Sequence, residues 1–245
     1  MNDEIIKEAL SYSLGSDLHE AWCEQELYSF FERAQQEYET VNNYGEAIRN
    51  ACSNGDDRRN EVELDVPRLV GLETEASQCL KDFNVFKRLF NKGIIEVKRF
   101  TKRNLTYEEI SKCGSNYKDG KENILRSFSE ISAASQQDNL EAARVAINLV
   151  YDKIINGEPI TPEEQEKMAA VIHDEWLKRN QWVFDPNDGK PELAVPYDQL
   201  LVEEQDKDKA QLGLAIAKVE AYVKGLINVD EICSQYGIES SSKKI

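Results

Sequence analysis

Thr161-Pro162-Glu163-Glu164-Gln165-Glu166-Lys167-Met168-Ala169-Ala170-Val171-Ile172-His173-Asp174-Glu175-Trp176 carries the strongest local signal in the chain. A threonine with glutamate three residues on is a capping box, and proline suits the first helical position. Met168, Ile172 and Trp176 then recur at fours, so they share one helix face up to about Asn180. Upstream, Asp138 can cap a helix whose stripe is Leu140, Ala143, Ile147, Val150, Tyr151 and Ile154, ending at Asn156-Gly157. Downstream, residues Trp182 to Val195 hold Pro186, Asn187-Asp188-Gly189 and Pro191, which predicts a turn-rich loop or short hairpin. A long helix follows from about Val202 to Leu226, with Leu212, Ala215, Ile216, Val219, Tyr222 and Val223 as its stripe, and a short one over Val229 to Tyr236. Toward the N-terminus the spacing predicts a helix from Asp17, N-capped with Glu20, to about Ala51, a polar loop over Cys52 to Arg59, and helices over Glu73–Phe90 and Gly120–Ser132. The fold class is mainly α, with helical bundle-like domains. The small, polar run Ser132–Gln137 suggests a break, giving a helical domain over 1–135 and a second over 136–245.

Composition sets the function classes. The 245 residues carry 46 acids and 30 bases, a net charge of −16. General nucleic-acid or anionic-membrane binding needs a basic face, so this charge argues against both. No apolar run is long enough to span a bilayer, and the charged start MNDEIIKEAL lacks the pattern of a secretion signal. The expectation is a soluble, acidic, cytoplasmic globular protein. Its five cysteines (Cys23, Cys52, Cys79, Cys113, Cys233) are odd in number and form no C-x-x-C, so free thiols are expected. Two histidines and no cysteine pair leave zinc without a ligand set, and no calcium loop or glycine-rich phosphate loop is present. No cofactor or metal is expected.

The two histidines sit in matching tetrads, His19-Glu20-Ala21-Trp22 and His173-Asp174-Glu175-Trp176. A second echo is Glu63-Leu64-Asp65-Val66-Pro67 against Glu192-Leu193-Ala194-Val195-Pro196. A third sets Tyr107-Glu108-Glu109-Ile110 against Tyr197-Asp198-Gln199-Leu200. These echoes fit a duplicated unit whose first copy carries a large insertion.

The run from Ala169 to Tyr222 combines an I-H-D-E-W helix, a turn-rich loop, V-P-Y-D-Q-L, an acidic stretch and a closing helix. In that order it resembles the ryanodine-receptor (RyR) repeat, a family found in the receptor and in small bacterial and phage proteins. Asp174 stands where the family pattern has glutamate. The N-terminal part is similar in His19, Glu20 and Trp22 but has Arg68 where tyrosine would follow Val66-Pro67. The resemblance implies a binding module without catalytic chemistry, for adenine nucleotides or NAD-derived signals, of a kind that travels with nucleotide-signalling defence systems.

On that reading Trp176, Trp182 and Tyr197 supply stacking surfaces, while His173, Lys178 and Arg179 meet polar or phosphate groups; His19 and Trp22 take the same roles in the first copy. A stacked base contributes about 1–3 kcal/mol. The competing reading makes Trp176 a core residue, His173 the partner of a loop carbonyl, Tyr197 a loop anchor, and the two cations a favourable helix end. The densest basic patch, Lys87, Arg88, Lys92, Lys98, Arg99, Lys102 and Arg103 interleaved with Phe86, Phe90 and Phe100, either contacts a ligand or pairs with acids elsewhere. No nucleophile elbow, HExxH or paired-carboxylate motif stands out, so no enzyme is expected. The expectation is a non-enzymatic protein that binds a small nucleotide-derived ligand as a sensor or sequestering sponge, including in conflict between phage and host. The alternative is an acidic protein–protein interaction module, docking on a basic partner as a nucleic acid does. Pairwise docking of the long striped helices makes a homo-oligomer the expected assembly.

Overall fold

The computed structural model describes residues 1–41, 43, 46–47, 50–51, 60–64, 80–102, 105–118, 120–186 and 189–239. In order they form α1 (Asp3–Val41), β1 (Asn60–Leu64), α2 (Phe83–Asn91), β2 (Ile95–Lys102), α3 (Tyr107–Cys113), β3 (Tyr117–Lys118), β4 (Lys121–Asn123), α4 (Ala133–Ile155), α5 (Pro162–Arg179), α6 (Val202–Val223) and α7 (Val229–Tyr236). The architecture is mainly helical, and no described helix is long and apolar enough to cross a membrane. The chain divides into two units, Met1–Leu18 with Gln137–Ile245, and His19–Gln136. The sequence-based division differs at the start of the chain: residues 1–18 group with the second half.

The discontinuous unit is a helical assembly. Ile6, Leu10 and Leu14 of α1 share a core with Ala143, Ile147 and Val150 of α4, Ile172 of α5, Leu212, Ala215 and Val219 of α6, and Val229 and Cys233 of α7. Around this core Arg144 grips Glu8 through two hydrogen bonds of 2.9 and 2.5 Å. The Thr161 capping box forms as its sequence requires, with the hydroxyl accepting from the Glu164 N–H at 3.3 Å. Lys153 and the Thr161 cap together hold the Glu164 carboxyl at about 2, well below the usual carboxylate range.

The second unit carries what the sequence reading missed, a four-stranded antiparallel sheet in the order β1-β2-β4-β3. Ile95 and Val97 alternate with Glu96 and Lys98, a strand period with β-branched residues on one face. Those two side chains are buried with Phe30, Phe31, Phe86 and Leu89. The helix expected over Gly120–Ser132 does not form. Gly120 has a positive φ of 76° that starts a turn, and Lys121–Asn123 pair with β2 instead. Leu125, Phe128 and Ile131 are buried at helix-like threes, yet they lie in irregular chain and a short 3-10 turn, Phe128–Glu130.

Other boundaries moved for local reasons. α1 begins at Asp3, well before Asp17, because Ile6, Leu10 and Leu14 already give it a buried stripe. α4 begins at Ala133, ahead of Asp138, because the buried Glu122 of β4 serves its N-terminus. That carboxylate accepts from the Ser132 N–H at 2.5 Å, the Ser132 hydroxyl at 2.7 Å and the Ser135 hydroxyl at 2.6 Å. A carboxylate at a helix N-terminus is favoured by both the free N–H groups and the dipole. The helix expected over Glu73–Phe90 is seen as α2 from Phe83; residues 73–79 and the loop Cys52–Arg59 lie outside the described residues. No strand forms among the described residues of 182–195. That segment holds a 3-10 turn, Gln181–Phe184, and folds back at Gly189, where a side chain would collide with the backbone of Val183 and Asp185.

Candidate functional site

In the C-terminal His–Trp motif, α5 places His173 and Trp176 one turn apart with ring centroids 5.9 Å apart. His173 is only 4% exposed. Its Nε2 donates to the Val195 carbonyl at 2.9 Å, and its Nδ1 lies 3.6 Å from an Asp208 carboxylate oxygen. Because a carbonyl only accepts, the proton on Nε2 is fixed. Burial raises the Asp208 carboxyl to about 6, against a lowering by His173. Tyr197, buried two residues beyond Val195, sits 6.4 Å from the His173 ring and donates its hydroxyl to Glu166 at 3.0 Å. Trp182 is 46% exposed and meets Trp176 edge-on at 6.4 Å. Lys178 and Arg179 occupy the last turn of α5, and Lys178 pairs with Glu175 at 2.6 Å. The structure therefore brings His173, Trp176, Trp182 and Tyr197 together, but commits the polar atoms of His173 and Tyr197 to the protein itself.

The N-terminal motif repeats this arrangement. His19, 3% exposed, lies 5.9 Å from Trp22 ring to ring, and its Nε2 donates to the Arg126 carbonyl at 2.7 Å. Two residues beyond that carbonyl, Phe128 sits 6.0 Å from the imidazole, as Tyr197 sits 6.4 Å from that of His173. Phe128 and Tyr197 each open a 3-10 turn. Gln136 then donates to the carbonyls of Phe128 and Ile131 at 2.8 and 3.2 Å; Gln205 donates to those of Tyr197 and Leu200 at 3.0 and 3.2 Å. The matching segments are thus Arg126-Ser127-Phe128-Ser129-Glu130-Ile131 and Val195-Pro196-Tyr197-Asp198-Gln199-Leu200. This corrects the echoes read from sequence. Tyr107 is 89% exposed at the start of α3 and is no counterpart of Tyr197. Glu63 and Leu64 belong to β1, and 65–67 lie outside the described residues. The chain between α1 and Arg126 carries the sheet.

Beside the N-terminal motif the inserted sheet and α1 enclose a cleft of about 590 Å³. Glu20, Cys23, Glu24 and Leu27 line it from α1, Lys87 and Phe90 from α2, Ile95 and Val97 from β2, and Asn123, Leu125 and Arg126 from β4 and the chain after it. Clefts of about 300–1,000 Å³ with apolar walls and a few convergent polar groups are the usual form of small-ligand sites. Lys87 pairs with Glu24 at 2.7 Å and Arg126 with Glu130 at 3.0 Å. Arg99 pairs with Glu26 and lies over the Trp22 ring, 5.4 Å from its centroid. The basic patch thus meets acids of α1 at Lys87 and Arg99; Arg103 and the side chains of Lys98, Phe100 and Lys102 lie outside the described residues.

Cys23 also faces the cleft, with Sγ 3.4 Å from His19 Nε2. The spacing suits a thiol–imidazole dyad, but the electrostatics oppose one. Burial pushes the thiol up to about 12 and holds His19 below its ordinary value. A thiolate–imidazolium pair needs both shifts reversed. Among the described residues no group of three or more His, Cys, Asp or Glu side chains could hold a metal ion. Sequence reasoning missed Asn123 and Arg126, which no spacing marks. Phe128 and Gln136 could have been found by setting S-F-S-E-I and its later glutamine against P-Y-D-Q-L. No family model, curated protein or solved structure matches the chain.

Proposed function

We propose that this is a non-enzymatic binding protein, two RyR-like repeats in series, that senses or sequesters a small nucleotide-derived ligand, and that the ligand occupies the cleft of the first repeat. The observation that carries this is the cleft itself, lined by Glu20 and Cys23 next to His19 and walled by the segment that carries the sheet. The second copy, with Trp176, Trp182, Lys178 and Arg179 on an open helix end, is the scaffold partner in this reading. Two further features support binding over catalysis: both imidazoles are tied to backbone carbonyls, and the cleft thiol stays protonated at neutral pH.

Calorimetry with adenosine, ADP-ribose, NAD and cyclic nucleotides tests the proposal. The expected result is saturable binding that Leu27→Trp, which fills the cleft, abolishes and Trp182→Ala leaves unchanged. No heat at about 1 mM ligand, the weak end of useful affinities, would sink it. Binding lost with Trp182→Ala but kept with Leu27→Trp would move the site to the second repeat.

The acidic docking reading draws on a different observation. Exposed lysines such as Lys112, Lys167, Lys207 and Lys224 each pair with a nearby glutamate on their own helix, which leaves the acidic excess facing solvent. A salt-sensitive pulldown of a basic protein, indifferent to added nucleotide, is the outcome that reading expects.

A further inference from the structure

The charges that line the cleft do not balance. Lys87 is matched by Glu24 and Arg126 by Glu130, which leaves Glu20 on the same lining without a cation among the described residues. A second carboxylate lies close by. Glu122 of β4 is 1% exposed, and the Ser132 N–H and the Ser132 and Ser135 hydroxyls that bond it are all neutral. Neutral donors hold a carboxylate in place without cancelling its charge. Both carboxylates act on His19, yet burial outweighs them and holds the imidazole below its ordinary value, so at neutral pH it adds no positive charge. Glu20 also acts on Cys23, whose thiol faces the cleft and stays protonated. The end of the cleft at Cys23 is therefore negative, and low-dielectric walls concentrate such a field.

Those walls select among cations. Leu27, Phe90, Ile95, Val97 and Leu125 line the cleft. A compact ammonium is strongly hydrated and loses that water against apolar walls. A flat ring that spreads its charge over several atoms gives up less water and covers apolar surface with both faces. It can also lie against the Phe90 ring, where cation–π attraction adds to the fit. The ordinary bases, ribose and phosphate of a nucleotide are neutral or anionic at neutral pH, whereas an N-substituted pyridinium is a permanent ring cation.

Resting on the reading of the cleft as the binding site, we infer that it holds a planar ring cation, of the pyridinium kind that oxidised nicotinamide nucleotides carry. Glu20 is the carboxylate that selects its charge.

The test uses two pairs of probes that differ in ring charge: 1-methylnicotinamide against nicotinamide, and oxidised against reduced NAD. Putrescine serves as a cation without a ring. Calorimetry is run on wild-type protein and on Glu20→Gln, which removes no hydrogen bond or ion pair of the described residues, since Glu20 is exposed and unpaired. In wild type the charged member of each pair is expected to bind about tenfold tighter or more, and putrescine at about 1 mM not to compete. Glu20→Gln is expected to bring the members of each pair within about threefold. The inference is overturned if the neutral member of either pair binds as tightly as the charged one, or if Glu20→Gln keeps the full preference. It is equally overturned if putrescine binds as tightly as 1-methylnicotinamide, or if adenosine binds and neither nicotinamide pair does. Each of these results leaves the cleft as the site so long as Leu27→Trp abolishes the binding that is seen; the cleft reading fails separately if Leu27→Trp binds as wild type does.

Discussion

Asp208 and Asn139 occupy matching positions, each three residues beyond the glutamine that ties down the 3-10 turn. The C-terminal motif therefore sets an ionisable group beside its imidazole, where the corresponding sequence position of the N-terminal motif is an asparagine. With its folded pKa raised to about 6, Asp208 keeps a proton over a range where the unfolded chain has released one. Its contribution to stability is present at acid pH and is lost as pH rises from about 4 through about 6. Asp208→Asn is accordingly expected to stabilise the protein by about 1–2 kcal/mol at pH 8 and by close to nothing at about pH 3. Urea denaturation at the two pH values checks it; equal effects at both would refute the assignment. Cys23 gives a second measurement. With its thiol at about 12, site-resolved alkylation at pH 8.5 should be slower than that of an exposed cysteine by about a hundredfold or more, and should reach the ordinary rate on unfolding. At this scale the sequence marked His19, His173, Trp22 and Trp176, because their types are rare and their spacing repeats. Asn123 and Arg126 left no mark. What singles them out is a buried side-chain donor, Nδ2 and Nε, unmatched among the described residues, and a donor is unmatched only by virtue of what the fold places around it.

Helices were legible wherever capping and a helical stripe agreed. The Thr161 box fixed the start of α5, and Val229–Tyr236 matches α7 residue for residue. Where agreement failed, a competing rule had prevailed. Leu125, Phe128 and Ile131 mimic a helix face, but the strand before them is claimed by β2 and the turn by Gly120. β2 itself was hidden because its lysines and arginine drew attention as charge, masking the alternation of Ile95 and Val97. The α1–α4 crossing offers a test at this level. A side-chain carbon added at Gly15 would stand 3.4 Å from the Asn139 carbonyl oxygen and 3.5 Å from Leu140 Cα. Ala169 stands at the same distance before the other histidine, four residues ahead of His173, and is buried. Gly15→Ala should thus be neutral or gain up to about 1 kcal/mol, as a glycine inside a helix is replaced by alanine. Gly15→Leu should cost about 2–3 kcal/mol by forcing the two helices apart. Thermal denaturation of both variants separates a crossing that needs a small residue from one that does not.

Over the whole molecule, charge and core composition were legible and the division of the chain was not, since no local signal says that residues 1–18 belong with 137–245. The net charge of −16 also has a consequence for stability. Self-repulsion destabilises a compact, strongly acidic chain, and salt screens it. The melting temperature is expected to rise by a few degrees between about 20 and about 200 mM NaCl, against the trend for a protein held by isolated surface ion pairs. A fall over that interval would mean that pairs such as Arg144–Glu8 outweigh the repulsion.

The helix that runs from Asp3 to Val41 serves two cores, and this sets an order of events during synthesis. All of His19–Gln136 is synthesised before the partners of Ile6, Leu10 and Leu14. At about 5–20 residues per second those three side chains wait several seconds with no core to enter. The nascent chain thus carries a greasy N-terminal helix ahead of a finished domain, which makes the opening eighteen residues the segment that a chaperone would hold and an aggregate would recruit.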